Sequence, residues 1–239
     1  MPVRLYLRDP YLHSFDAAIT GIDGNSVSLD RTAFYPTGGG QPGDTGILST
    51  NGIKHKIIDT IKAGDDVHHV LEDVSGIKEG DIVTGFVDWD KRYAYMKYHT
   101  AIHIIDGIMV NSYAGKGFST GSQIYADRAR IDFDMDQLNR ELAQKLVEAA
   151  NNIVKEGRSV TVRSVSRAEA LQMPNLARTE PGKELIRKLD TIRIVEIEGL
   201  DTQMDGGLHV ASSRELGAIV LSEFSNKGSH HKRMEIKLI

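Results

Sequence analysis

Cysteine is absent from all 239 residues of the chain, and its absence excludes two kinds of site. No disulfide can form, and no metal can be held by thiolate sulfur, so any metal site must use nitrogen and oxygen ligands. Long apolar runs are also missing. No stretch approaches the roughly 20 apolar residues that span a bilayer, and the N-terminal segment lacks the apolar core of a signal peptide. We therefore expect a cytoplasmic protein with no membrane partner.

An excess of positive charge is lacking too. The formal net charge is −4, which argues against a protein that coats nucleic acid through bulk positive charge. With 40% hydrophobic and 26% charged residues, the composition is typical of a folded globular protein. Local basic positions remain candidates for phosphate contacts, although they could equally be solvated surface: Arg128, Arg130, Lys232 and Arg233.

The first 90 residues have β character. Short alternating or β-branched stretches are separated by Gly, Asp and Asn turns, a pattern that predicts a small barrel or meander. The predicted strands are Val3–Leu7, Ser26–Leu29, Lys54–Thr60, His68–Leu71 and Ile82–Val87. We assign residues 1–90 to an N-terminal β-barrel domain that carries a Gly-rich motif.

Residues 91–239 mix helices and strands. The first predicted helix follows Asp90 and ends at Gly115, and the second starts at Asp136 and ends at Gly157. Short helical segments are predicted before Pro174 and near residues 183–189. The predicted strands are Phe118–Ala126, Arg130–Phe133, Ser159–Val165, Ile192–Ile197, Ala218–Phe224 and Arg233–Leu238. The fold class is therefore α+β, with a two-layer second domain in which helices cover one side of a mostly antiparallel sheet.

Two pairs of residues with the same spacing could bind one metal ion. His99 and His103 stand four residues apart on the first helix, so both imidazoles project from one face. Asp205 and His209 repeat the spacing around two glycines, which suit a tight bend against a bound group. Packed histidines without metal are the alternative. A metalloprotease is disfavoured, because Thr100 stands where such a helix needs glutamate.

Four motifs together resemble the AlaX family of free-standing alanyl-tRNA editing proteins, which is similar to the editing domain of alanyl-tRNA synthetase. YPTGGGQPGDTG at Tyr35–Gly46 resembles the family's Gly-rich motif, and YHTAIHII at Tyr98–Ile105 resembles its HxxxH helix. STGSQIYADRARIDF at Ser119–Phe133 resembles its GS…D-R-x-x-D-F segment. DTQMDGGLHVASSRELG at Asp201–Gly217 resembles its CxxxH segment. The likeness, to the medium-length type with an N-terminal barrel, covers nearly the whole chain.

The resemblance implies a metal-dependent ester hydrolase that deacylates mischarged tRNA(Ala) without ATP and so serves translation fidelity. Ser-tRNA(Ala) would be the chief substrate, Gly-tRNA(Ala) is left open, and the partner would be the tRNA acceptor end. The protein would be a monomer or weak homodimer with one Zn²⁺ per chain, held by His99, His103 and His209. Candidate catalytic residues are His99, Thr100 and His103. Candidate substrate-binding residues are Gly39, Gly40, Gln41, Ser119, Thr120, Gly206 and Gly207.

Two positions depart from the family pattern. Asp205 replaces the usual cysteine, and Leu208 the usual threonine. Asp205 could bind zinc through oxygen or orient another ligand from behind. The ion could activate water or anchor the substrate's amino group. Ser119 occupies the family's discriminating position, yet it could also be an ordinary strand hydroxyl. A catalytically inactive tRNA-binding or metal-binding relic of a synthetase domain is the alternative function.

Overall fold

The computed structural model describes residues 1–113, 119–178, 180–228 and 231–239. They form two compact units, Met1–Tyr95 and Met96–Ile239. Each is described separately below. Among the described residues, no helix is long and apolar enough to cross a membrane.

The first unit is built on a closed six-stranded barrel. Its strands run β2-β3-β7-β6-β5-β8 around the barrel, and every pairing is antiparallel. The short parallel pair β1 and β4 stands apart from it. The strands are β1 (Val3–Arg4), β2 (Ser14–Asp23), β3 (Ser26–Leu29), β4 (Arg31–Thr32), β5 (Gly46–Thr50), β6 (Ile53–Ala63), β7 (Asp66–Leu71) and β8 (Ile82–Val87). The predicted barrel is therefore confirmed.

Alternation of apolar residues along the strands fills the barrel core. In β2, Phe15, Ala17 and Ile19 point inward while their neighbours face out. The prediction missed both β2 and β5. It was also wrong to treat all of Val3–Leu7 as a strand, because residues 5–7 form a turn of 3₁₀ helix.

A buried ion pair anchors the segment that contains the Gly-rich motif. The guanidinium of Arg92 pairs with the carboxylate of Asp44, and both side chains are at most 1% exposed. Arg92 also donates to the carbonyl oxygens of Ala33 and Pro10, so few of its donors lack a partner. At the tip, Gly39 and Gly40 have φ of 59° and 78°, which a tight two-residue hairpin turn requires.

The second unit contains most of helix α1 and all the remaining elements. The helices are α1 (Trp89–Ser112), α2 (Arg140–Glu156), α3 (Arg167–Ala170) and α4 (Glu180–Lys188). The strands are β9 (Ser119–Ile124), β10 (Ala129–Asp134), β11 (Val160–Ser166), β12 (Thr191–Ile197), β13 (Asp201–Met204), β14 (Ile219–Asn226) and β15 (His231–Leu238). The α+β class is confirmed.

These strands form two antiparallel sheets. Four strands pair in the order β14-β15-β10-β9, and three in the order β11-β12-β13. Helix α2 packs on the four-stranded sheet, where Asn151 exchanges two hydrogen bonds with the backbone of Ile219.

Several predicted boundaries need correction. Helix α2 starts after Asn139 rather than Asp136, because the Asn139 side chain accepts the N–H of Leu142 and caps the helix. Its predicted end at Gly157 is confirmed by a φ of 71°. Strand β9 ends at Ile124, where the chain turns. The expected start of that strand at Phe118, and the expected end of α1 at Gly115, lie outside the described residues.

Candidate metal centre

Helix α1 supplies two of the four metal-ligand candidates. His99 and His103 lie one turn apart, and every residue from Ala101 to Met109 is buried. Both imidazoles are therefore almost fully enclosed, with side chains 5% and 7% exposed. Such enclosure holds a side chain in one orientation, which a ligand for a small ion requires.

The turn after β13 supplies the other two candidates. Strand β13 ends at Met204, and Arg193 on the neighbouring strand holds Asp205 by two hydrogen bonds. The Arg193 guanidinium donates to the Asp205 carbonyl oxygen at 2.8 Å, and the Asp205 N–H donates to the Arg193 carbonyl oxygen. A Cβ atom on Gly207 would lie 2.1 Å from Cε1 of His99. Only glycine at 207 therefore lets the turn approach the helix this closely.

Four ligand atoms converge at this point. One atom each from His99, His103, Asp205 and His209 lies within 4.8 Å of all the others. Nε2 of His209 is 3.0 Å from Oδ2 of Asp205, and Nε2 of His99 is 3.7 Å from Oδ1. Ligands about 2.1 Å from a tetrahedral ion lie roughly 3.4 Å apart, so these separations fit a zinc-sized ion.

Thr100 contacts the ring nitrogen of His209 that lies away from Asp205. The Thr100 hydroxyl donates its one proton to the carbonyl oxygen of Met96 at 3.0 Å and accepts the N–H of Val210. The same oxygen lies 3.1 Å from Nδ1 of His209 and can accept the N–H of that nitrogen. An imidazole protonated on Nδ1 carries its lone pair on Nε2, the atom that faces Asp205.

Asp205 lies against the Nε2 atom of His209. The distance from Nε2 to Oδ2 of Asp205 is 3.0 Å, and Oδ2 also accepts the N–H of Gly207 at 2.7 Å. With the ring proton on Nδ1, Nε2 offers its lone pair to a cation that the carboxylate also contacts. The donor set, three imidazoles and one carboxylate, therefore fits a divalent metal ion.

Burial sets the charge of the histidines. It lowers the pKa of His99 to about 4 and the pKa of His209 well below its ordinary value, so both rings are neutral near pH 7. Neutral imidazoles beside a carboxylate are the protonation states that bind a metal.

A polar network that the sequence did not reveal backs His103. Nδ1 of His103 lies 4.0 Å from Oδ2 of Asp201 and has no hydrogen-bond partner among the described residues. Asp201 in turn pairs with Arg178 and accepts the side-chain amide of Gln203. Helix α1 approaches this network through Gly107, where a Cβ atom would lie 2.9 Å from Cβ of Asp201.

The candidate discriminating residues lie at the start of β9. The Ser119 hydroxyl donates to Oδ2 of Asp106 at 2.8 Å, and Ser119 is half-buried. The exposed Thr120 bonds at 3.3 Å to the carbonyl oxygen of Asp132 within the hairpin. Sequence analysis missed Asp106. The feature of the sequence that could have identified it is an acidic residue three positions after His103 in an otherwise apolar helical stretch.

The predicted basic residues already have partners within the second unit. Arg233 pairs with Asp132 at 2.6 Å, and Arg130 lies 3.4 Å from the same carboxylate. Arg128 pairs with its neighbour in sequence and with Glu235. The ammonium of Lys232 is buried and donates to Asn226 and to a backbone carbonyl, so a phosphate contact by this residue is disfavoured. The remaining candidates are arginines whose side chains are about one-third exposed.

Two family models match parts of the chain. One is described as tRNA synthetases class II (A) and matches residues 10–91. The other is described as the threonyl and alanyl tRNA synthetase second additional domain and matches residues 192–235. The second match ends within β15 and includes the whole turn that carries Asp205 and His209.

Full-length relatives extend the comparison. The alanyl-tRNA editing protein AlaX-M of Methanosarcina mazei is 36% identical, over 100% of this chain and 97% of its own length. AlaX-M of Saccharolobus solfataricus is 35% identical, over 98% of both chains. The alanine–tRNA ligase of Pyrococcus abyssi is 37% identical over 90% of this chain, which corresponds to 23% of the ligase.

Proposed function

Because the chain belongs to the AlaX family of alanyl-tRNA editing proteins, we propose that it hydrolyses the ester of mischarged tRNA(Ala) in trans. Ser-tRNA(Ala) is the chief substrate and Gly-tRNA(Ala) the second candidate. The ester between an amino acid and the terminal ribose is already activated. Its hydrolysis therefore requires a positioned water and charge stabilisation rather than a dedicated nucleophile.

The convergence of four ligand atoms carries this proposal. One atom each from His99, His103, Asp205 and His209 lies within 4.8 Å of the others, a set that suits a divalent cation. We assign one zinc ion per chain to His99, His103, His209 and Asp205. When bound, zinc supplies Lewis-acid chemistry, either toward water or as an anchor for the substrate's amino group. Thr100, which lies behind His209, acts as a positioning residue rather than as a group that touches substrate.

Discrimination against alanine requires a polar partner for the serine side chain. Seryl and alanyl esters differ by one hydroxyl, and a buried polar group left unpaired by alanine costs about 1–3 kcal/mol. Ser119 is our candidate for that partner, because it is half-buried at the start of β9 and bonded to a residue of the ligand-bearing helix. Gly206 and Gly207 offer bare backbone beside the cluster.

We propose that the protein recognises the tRNA through contacts with its phosphate backbone. The candidates for these contacts are Arg128, Arg130 and Arg233. On binding, tRNA phosphates would replace the acidic side chains with which these arginines pair. We propose that residues 91–239 form the deacylase domain and that residues 1–90 assist substrate binding. The turn of Gly39, Gly40 and Gln41 remains the predicted substrate contact of the first domain.

Deacylation assays with three esters of one tRNA test the proposal. Ser-, Gly- and Ala-tRNA(Ala) are incubated with the protein, and spontaneous hydrolysis is measured in parallel. We expect rapid loss of the seryl ester and survival of the alanyl ester. Binding of tRNA(Ala) without hydrolysis of either noncognate ester would favour the alternative, an inactive relic, and would overturn the proposal.

A further inference from the structure

Asp106 is a carboxylate in an unexpected place. It lies in the stretch of α1 from Ala101 to Met109, where all residues are buried, and is itself only 6% exposed. It follows His99 by seven residues and His103 by three, so all three side chains project from one face of the helix. An acid at this position costs desolvation energy that an apolar residue would avoid.

One oxygen of this carboxylate is bonded and the other is not. Oδ2 accepts the hydroxyl proton of Ser119 at 2.8 Å, whereas Oδ1 is buried and has no hydrogen-bond partner among the described residues. Burial raises the pKa of Asp106 to about 6, so the group remains largely ionised at neutral pH. An ionised carboxylate only accepts hydrogen bonds.

The ionised carboxylate determines how the Ser119 hydroxyl can form hydrogen bonds. A serine hydroxyl has one proton and two lone pairs, and here the proton is directed at Asp106. Toward any other group, Ser119 therefore presents lone pairs alone. Such a hydroxyl accepts a hydrogen bond from a ligand but cannot donate one.

We propose that Asp106 determines specificity by positioning Ser119 as a pure acceptor, so that the site selects aminoacyl esters whose side chain carries a hydrogen-bond donor. The inference rests on the proposed deacylase function and deepens it. A seryl ester satisfies the acceptor through its hydroxyl. An alanyl ester leaves the Ser119 lone pairs unpaired, and a glycyl ester lacks the donor but leaves room for water.

A different role for Asp106 makes a different prediction. If its negative charge attracted the substrate's α-ammonium group, every aminoacyl ester would depend on it equally, because each carries that group. A residue that acts through Ser119 affects seryl esters more than glycyl esters. The ratio of kcat/KM for Ser-tRNA(Ala) to kcat/KM for Gly-tRNA(Ala) therefore separates the two roles.

The experiment compares Asp106→Ala, Ser119→Ala and the double variant with the wild type. Asp106→Asn tests rescue, because its amide oxygen still accepts the Ser119 proton. Asp190→Asn is the matched control, since this carboxylate is 96% exposed. Zinc content is measured for every variant, so that a damaged metal site is recognised independently of activity. Should Asp106→Ala not fold, Asp106→Ser takes its place.

We expect Asp106→Ala to lower the seryl-to-glycyl ratio by about 5- to 100-fold, the range that one unpaired polar group produces. Zinc content should be unchanged, Asp106→Asn should restore most of the ratio, and the double variant should match Ser119→Ala. Equal losses on both esters, or additive effects in the double variant, would overturn the inference. A wild-type protein inactive on both esters would instead overturn the proposed function.

Discussion

The side-chain hydroxyl of Thr100 lies 3.1 Å from Nδ1 of His209, although 109 positions separate the two residues in the chain. This contact holds the ring of His209 in an orientation in which Nε2 faces Asp205. Residues that hold the second nitrogen of a ligating histidine keep the ring orientation and raise its basicity. The candidate metal site therefore depends on a threonine that would itself not touch the ion.

Replacing Thr100 should weaken metal binding in a graded way. Thr100→Val keeps the shape but removes the acceptor for Nδ1–H, and we expect zinc affinity to fall by about 10- to 100-fold. Thr100→Ser retains the hydroxyl and should stay near the wild type. Competition titrations with a chromophoric chelator measure both affinities. Equal affinity for Thr100→Val and wild type would mean that the hydroxyl does not orient His209.

The two neighbouring glycines should respond differently to a single methyl group. In Gly207→Ala the new Cβ would lie 2.1 Å from Cε1 of His99, so the ring or the turn must shift and zinc binding should be lost. In Gly206→Ala nothing lies within 4 Å of the new atom, and zinc binding should persist. Zinc content after gel filtration reports on both. Similar zinc content in the two variants would contradict the close packing described here.

Substitution of Asp205 tests whether the proposed zinc site has three or four protein ligands. If its carboxylate binds the ion, Asp205→Ala should reduce zinc affinity more strongly than Thr100→Val does. Asp205→Cys should restore binding and favour zinc over harder ions, because thiolate is the softer ligand. Both variants are measured in the same chelator competition. Unchanged zinc affinity in Asp205→Ala would mean that Asp205 orients another ligand and does not bind the ion.

Protonation of a buried histidine should destabilise the barrel in acid. His69 donates through Nδ1 to the carbonyl oxygen of Val27 and accepts the hydroxyl of Thr32 at Nε2, and burial lowers its pKa to about 4. The unfolded chain titrates near 6.5, so the unfolded state binds more protons between these values. Stability is therefore fully present above about pH 6.5 and decreases as the pH falls toward 4, by up to about 3 kcal/mol.

Urea unfolding followed from pH 7.5 to pH 4.5 measures this effect. His69→Gln removes the titrating group, so its unfolding free energy, although lower at pH 7.5, should decline less steeply with acid than that of the wild type. The partly exposed His68 provides the matched control as His68→Gln. Parallel pH dependence in His69→Gln and the wild type would rule out His69 as the source.

Much of the site could be predicted from local spacing. The HxxxH and DxxxH patterns each place two side chains four residues apart, so the sequence predicts His99, His103, Asp205 and His209 as ligands, and the structure brings all four together. The family resemblance, read from four motifs, is confirmed by the full-length relatives. The barrel is confirmed as well, because alternating apolar residues determine it.

The contacts behind the ligands could not be predicted in this way. Thr100 meets His209 across 109 positions, and Asp106 meets Ser119 across 13, only because α1 packs against those segments in the folded chain. Neither contact has a local periodicity. The sequence does not predict strand β13, because its four half-buried residues, both polar and apolar, show no alternation. The end of this strand nevertheless determines the position of Asp205.

Metal titration of the deacylation reaction tests the central claim most directly. The protein is stripped with chelator and dialysed, zinc is added back in steps, and hydrolysis of Ser-tRNA(Ala) is measured alongside bound zinc. We predict that the stripped protein is inactive and that activity rises linearly to a plateau at one zinc per chain. Full activity in the stripped protein, or zinc binding without any gain in activity, would contradict the account.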